Sequence, residues 1–85
     1  MMLDKKNINL NDYYFDGAIN HEMCRAWAEY FLSNDAELQD EIDDIKGTIS
    51  NENLWVKGSN KTDAASHINN VKNLESYLSW LESLS

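Results

Sequence analysis

Residues 61–84 read KTDAASHINNVKNLESYLSWLESL, and the reading of this stretch decides the fold. Ala64, Ile68, Val71, Leu74, Leu78, Leu81 and Leu84 recur at steps of three and four, which puts them on one side of a long helix. Asn60 or Thr62 supplies the side-chain oxygen that caps its start. From Ile68 the steps run 3, 3, 4, 3 and 3, as in a coiled coil, but two heptads are too few for one. The stripe therefore predicts packing against shorter helices of the same chain. Tyr77 and Trp80 fall off it, near Asn73 on the helical wheel. Either they are exposed anchors for a partner, as aromatics at helical spacing often are, or residues 8–15 fold over them and give the helix a second buried side.

Upstream, Asn51, Asn53, Gly58 and Ser59 surround Leu54-Trp55-Val56, which predicts a loop over 48–59 with a short strand at 53–57. Residues 35–46 predict a helix with Leu38, Ile42 and Ile45 inward. Asn34 and Glu37 resemble a capping box, and Gly47 is a natural stop, with Lys46 at the negative end of the dipole. Residues 20–32 predict another helix, with Ile19, Met23, Ala26, Trp27, Tyr30 and Phe31 on one face and Glu22, Arg25 and Glu29 on the other. Asn20 caps it, and Glu22 suits its first turn. In residues 1–18, Ile8 and Leu10 alternate with Asn before Tyr13-Tyr14-Phe15, giving an extended arm or a short strand that ends in an Asp16-Gly17 turn. The expected architecture is mainly α: one domain over 1–85, with two short helices on the long helix 61–84. A minor β element from 8–14 and 53–57 would make it α+β.

A chain of 85 residues buries only about 60% of its unfolded surface, so its core is small. A hydrophobic share of 42% and nine aromatics still argue against disorder. No apolar run is long enough to span a bilayer, and no basic-then-apolar leader opens the chain. Cys24 is the single cysteine, so no internal disulfide forms and a reducing cytoplasm is expected. The absence of proline beside abundant Asn, Lys, Ile and Asp is the composition of an AT-rich bacterial or phage gene.

The net charge is −8, and it is unevenly placed. From Asp12 to Asp44 there are ten acids and one base, Arg25, a net of −9; the rest of the chain holds five acids and six bases. Direct binding to nucleic acid or to an anionic membrane is disfavoured by like charge. Asp35, Glu37, Asp40, Glu41, Asp43 and Asp44 put six acids in ten residues, on the half of the predicted helix opposite Leu38, Ile42 and Ile45. A solvated face accounts for those positions. It does not account for the missing counter-charges. Glu37–Glu41 and Asp40–Asp44 repel at i,i+4, Glu37–Asp40 and Glu41–Asp44 repel at i,i+3, and only Asp43–Lys46 attracts. That is about 1 kcal/mol of self-repulsion, a noticeable share of a small domain's stability. A basic partner surface makes the arrangement useful.

Six acids over ten helical residues lie about 2.5 Å apart along the axis, against one phosphate per ~1.7 Å in duplex DNA. Glu22 and Glu29 would widen the face, and Trp55, Tyr77 and Trp80 would anchor the contact. Acidic, compact, proline-free chains of this size are similar in kind to phage-encoded decoys that disable restriction or CRISPR enzymes. No family motif is matched.

Other chemistries fail on spacing. His21-Glu22 begins a zinc-protease motif, but Arg25 stands where its second histidine belongs. His21, Cys24 and His67 are too few soft ligands for a closed zinc site, and the acids lack the alternation and glycine of a calcium loop. Three isolated glycines form no phosphate loop, and no serine stands in a nucleophile elbow. Cys24 on an amphipathic helix reads as a small hydrophobe, His21 as exposed, and His67 as half-buried. No metal, cofactor or enzymatic activity is expected. The expected function is a non-enzymatic inhibitor that blocks a basic, nucleic-acid-binding surface of another protein. Alternatives are an immunity- or antitoxin-type inhibitor of a nuclease toxin, and a structural adaptor that self-associates through Tyr77 and Trp80. Leu78→Ala is expected to cost far more stability than Glu41→Gln, which should be neutral or slightly stabilising.

Overall fold

Asn60 does cap the long helix: its Oδ1 accepts from the Asp63 amide at 2.9 Å, and the helix, α3, runs Lys61–Ser83. A computed structural model describes residues 3–11 and 13–85, so Met1, Met2 and Asp12 of the N-terminal arm lie outside the described residues. Two more helices precede α3, α1 over His21–Ser33 and α2 over Leu38–Gly58, after a single 3-10 turn at Lys5–Asn7. Among the described residues there is no strand; residues 53–57 belong to α2, and those of 8–14 are irregular.

The second helix is the largest departure from expectation. It begins three residues later than residue 35 and passes through Gly47 to Gly58. Leu38, Ile42, Ile45, Ile49, Glu52 and Val56 form an unbroken 4-3-4-3-4 stripe, all buried or half-buried. The most extensive helix contact in the molecule, α2 on α3, overrides the roughly 1 kcal/mol that a mid-helix glycine costs. Ser59 and Asn60 join the two helices into an antiparallel hairpin, in which Glu52 meets His67 and Glu41 meets Tyr77. The capping box does not form. Asn34 ends α1 instead, its Oδ1 accepting from the Ala36 amide at 2.9 Å, and Glu37 starts α2 without a side-chain cap bond. The Lys5 ammonium fixes this connection. It donates to the carbonyls of Phe31 (2.8 Å), Asn34 (2.8 Å) and Ala36 (2.7 Å) and sits 4.0 Å over the Phe31 ring.

Helix α1 is rotated from its expected face. Cys24, Ala28 and Phe31 are buried and Trp27 half-buried, while Ile19, Met23, Ala26 and Tyr30 face outward. Small side chains at 24 and 28 let α1 come close to α3, near enough for the Cys24 thiol to donate to the Asn73 carbonyl at 3.3 Å. Asn20 caps α1 as expected, accepting from the Met23 amide at 3.0 Å. The buried Asn73 side chain accepts from the amides of Ile19 (2.7 Å) and Asn20 (2.9 Å), which pins where α1 starts. Arg25 is not a solvent-facing charge: its guanidinium donates to the carbonyls of Leu10 (2.7 Å) and Tyr13 (3.4 Å).

Tyr77 and Trp80 are inside, at 1% and 2% exposure. Trp27 packs on Tyr77 with centroids 5.7 Å apart, Phe31 meets Trp80 at 6.1 Å, and Phe15 covers Trp80 at 6.5 Å. Leu10 and Phe15 join that core, so the N-terminal arm closes a second buried side of α3. The reading of Tyr77 and Trp80 as exposed anchors is thereby overturned. Of the leucine stripe, Leu74 and Leu81 are buried, Leu78 is half-buried and Ile68 is exposed. No residue from 43 to 72 is buried. The far half of the hairpin thus projects as an arm from a body that holds the whole core, within a molecule of 43 × 24 × 18 Å. Among the described residues no helix is long and apolar enough to cross a membrane.

Candidate interaction surface

With α2 beginning at Leu38, its acids redistribute. Asp35 lies in the connection, Glu37 at the N-cap, Asp40 and Glu41 in the first turn, and Asp43 and Asp44 in the second. Acids in a first turn face the positive end of the dipole, a gain of about 0.3–1 kcal/mol each, which offsets part of the like-charge repulsion. Asp43 and Asp44 lie beyond that turn. The expected Asp43–Lys46 attraction forms no ion pair; Asp43 accepts from the Gln39 side chain at 2.9 Å. Asp40, Asp43 and Asp44 are exposed, as is Glu37.

Glu41 behaves differently. Its Oε2 accepts a 2.5 Å hydrogen bond from the Tyr77 hydroxyl, which also donates to the Trp27 carbonyl at 3.5 Å. Burial first, then this bond and the Glu41 charge, push the Tyr77 phenol well above its ordinary range. Glu41 is therefore tied to the core, and Glu41→Gln removes a charged acceptor from a part-buried phenol. This bond argues against the expectation that the change is neutral or stabilising.

Helical geometry sorts the remaining charge. With the stripe from Leu38 to Val56 against α3, one flank of α2 carries Glu37, Glu41, Asp44, Thr48, Glu52 and Trp55. The opposite flank carries Lys46, Asn53 and Lys57, and Asp40, Asp43, Gly47 and Leu54 are outermost. On α3, Asp63, Asn70 and Tyr77 adjoin the first flank, Ile68 adjoins the second, and Lys72 sits behind the helix beside the Asp16–Gly17 turn. The Tyr77–Glu41 bond and a cavity of about 210 Å³ shared by Thr48, Glu52, Asn70, Leu74 and Trp27 place these residues on one side. One groove of the hairpin is acidic, and no lysine lines its cavity.

Among the described residues the one contact between an acidic and a basic side chain is Glu52–His67, a hydrogen bond with Oε2 and Nδ1 2.5 Å apart. The Trp55 ring stacks on His67, centroids 5.9 Å apart and planes 12° from parallel. Among the described residues no base pairs with Glu37, Asp40, Asp43 or Asp44, and the two bases nearest the core, Lys5 and Arg25, are held by carbonyls. Glu22 and Glu29 are exposed on α1, and no hydrogen bond or ion pair joins them to the α2 acids. Of the three proposed anchors only Trp55 is reachable, 61% exposed beside Leu54. The half-buried Trp27, which lines the cavity, escaped sequence reasoning. Its period-3.6 position marks it as core, and its lateral exposure depends on where α1 ends relative to the hairpin. A self-associating adaptor built on Tyr77 and Trp80 has no surface to use.

Burial raises the Cys24 thiol to about 11, so it stays protonated and is no nucleophile. His21 is half-buried, its ring tilted against Tyr14 with centroids 4.7 Å apart, and not exposed as expected. Among the described residues no three His, Cys, Asp or Glu side chains converge as metal ligands. Comparison with protein-family models, curated proteins and solved structures finds no match to this chain.

Proposed function

We propose that the chain is a non-enzymatic interaction protein whose acidic α2 surface occupies a basic, nucleic-acid-binding surface of another protein. The observation that carries this reading is the unneutralised charge. Among the described residues Asp40, Asp43 and Asp44 have no basic partner, and Lys5 and Arg25 are held elsewhere. The dipole accounts for Asp40 but not for the acids of the second turn. A negative field of this kind steers a basic partner before contact, and Trp55 and Leu54 supply apolar area once contact is made. The setting that suits such a decoy is the cytoplasm of a phage-infected bacterium, with a restriction or CRISPR enzyme as the blocked protein.

The test is a binding assay on partners captured from bacterial lysate. The variant carries Glu37→Gln, Asp40→Asn, Asp43→Asn and Asp44→Asn; Glu41 is left in place because Tyr77 depends on it. It should fold as the parent does and lose association rate. Parent binding should weaken from 50 to 300 mM salt, as the Debye length falls from ~14 to ~6 Å, and duplex DNA should compete. A folded variant that binds as fast as the parent would reduce the acids to a solvated face.

A further inference from the structure

We infer that the partner is engaged through one groove, the acidic side of the α2–α3 hairpin, by a segment carrying two arginines about three helical turns apart around a central apolar residue. The inference rests on the reading above and narrows it from a face to a site. The groove's cavity is lined by the apolar Trp27 and Leu74, the neutral Thr48 and Asn70, and Glu52. Two carboxylates bracket it. Glu41 is fixed by the Tyr77 hydroxyl and Glu52 by the His67 ring, each bond made through Oε2. Neither Oε1 has a hydrogen bond among the described residues, so each carboxylate keeps an acceptor for a guanidinium. Eleven residues on one helix separate the pair by about 16 Å.

These carboxylates differ from Asp40 and Asp43. Those two stand on the convex outer side of α2, away from that apolar lining. Glu41 and Glu52 are already ordered, so a cation that meets them costs little further side-chain entropy. Asp44 adds charge on the same flank, and none of the four lysines of the hairpin lines the cavity. Beyond Glu52, Trp55 has one ring face on His67 and stays 61% exposed, leaving a face for a guanidinium. Fixed anions at both ends, apolar lining between them and an aromatic plane at one limit fit a basic amphipathic segment.

The probe is a synthetic 18-residue helical peptide of Ala and Gln with two arginines eleven positions apart around a central Leu. A control peptide carries the arginines four apart. Bound to the full-length ¹⁵N-labelled protein, the first peptide should shift the indole signals of Trp27 and Trp55 and leave buried Trp80 in place. Asn70→Lys puts a cation in the groove without touching either bracketing bond; it should weaken the peptide at least tenfold, as should Glu52→Gln. Asp40→Asn with Asp43→Asn should weaken it less than threefold. The groove is refuted if the peptide does not bind at millimolar concentration, if the control binds as well, or if Asn70→Lys is silent while Asp40→Asn/Asp43→Asn abolishes binding. Partner capture separates the two readings. If Asn70→Lys still captures the partner while the four-fold acid variant does not, the groove falls and the face stands; if both variants still capture it, both fall.

Discussion

The two halves of the α2–α3 hairpin share a helix pair and differ in everything packed around it. From Leu74 to Leu81, α3 is enclosed by α2, by α1 and by the arm that brings Leu10 and Phe15. From Lys46 round to Lys72 no residue is buried, only Trp27 of α1 reaches the flank beside Thr48 and Asn70, and Leu54, Trp55 and Ile68 remain exposed. Three-sided burial produces a core, and two-sided burial produces a stripe. The difference teaches where stability resides and where surface is free for recognition, and it can be broken by substitution.

The largest effect should come from the enclosed half. Leu81→Ala, at 0% exposure, should cost about 3 kcal/mol or more in urea unfolding, whereas Val56→Ala, half-buried on the arm, should cost about 1 or less. Equal costs would mean the arm is as well packed as the body. Lys5→Met comes next. It strips three carbonyls at the end of α1 of a charged donor, and about 2 kcal/mol should be lost, with the connection before α2 loosened first. Tyr77→Phe leaves the Glu41 carboxylate without its donor and should cost about 1–2 kcal/mol, with Glu41→Gln costing less. A stabilised Glu41→Gln would show that this carboxylate acts only as a surface charge.

Alkaline titration probes the same enclosure. Cys24 is raised from its ordinary 9.0 to about 11, and the Tyr77 phenol is raised as well. The unfolded chain releases these protons first, so their contribution is complete below pH 9 and is lost as pH rises, for the thiol by about 11. Thermal midpoints should fall above pH 9, and a thiol reagent should label Cys24 only as fast as the body opens. The smallest effect belongs to the arm. A methyl group at Gly47 would meet nothing within 4 Å, so Gly47→Ala should stabilise by about 0.5–1 kcal/mol.

The long helix, the Asn20 and Asn60 caps and the acid cluster were legible in sequence because each is a local pattern. The continuation of α2 past Gly47 was not. A glycine before polar residues signals a stop, and only the match of Ile49 and Val56 to α3 shows that packing overrides it. The face of α1 was misjudged for a related reason. Ile19, Met23 and Tyr30 outweigh Cys24 and Ala28 in hydrophobicity, yet helix approach favours small side chains. The burial of Tyr77 and Trp80, one of the two alternatives open in sequence, depends on residues about fifty or more positions away, Trp27, Phe31 and Phe15, which helical spacing alone cannot place. The sorting of acids and lysines onto opposite flanks of α2 becomes readable only once the length of that helix is known.

The turn at Ser59 and Asn60 also sets an order of events in time. It lets α2 and α3 meet by closing a two-residue loop, whereas Phe15 must find Trp80 across most of the chain. Local closure takes roughly microseconds, and distant contacts raise the entropic barrier. Refolding should therefore show two tryptophan signals: an early change as Trp55 stacks on His67, and a later one as Trp80 is covered.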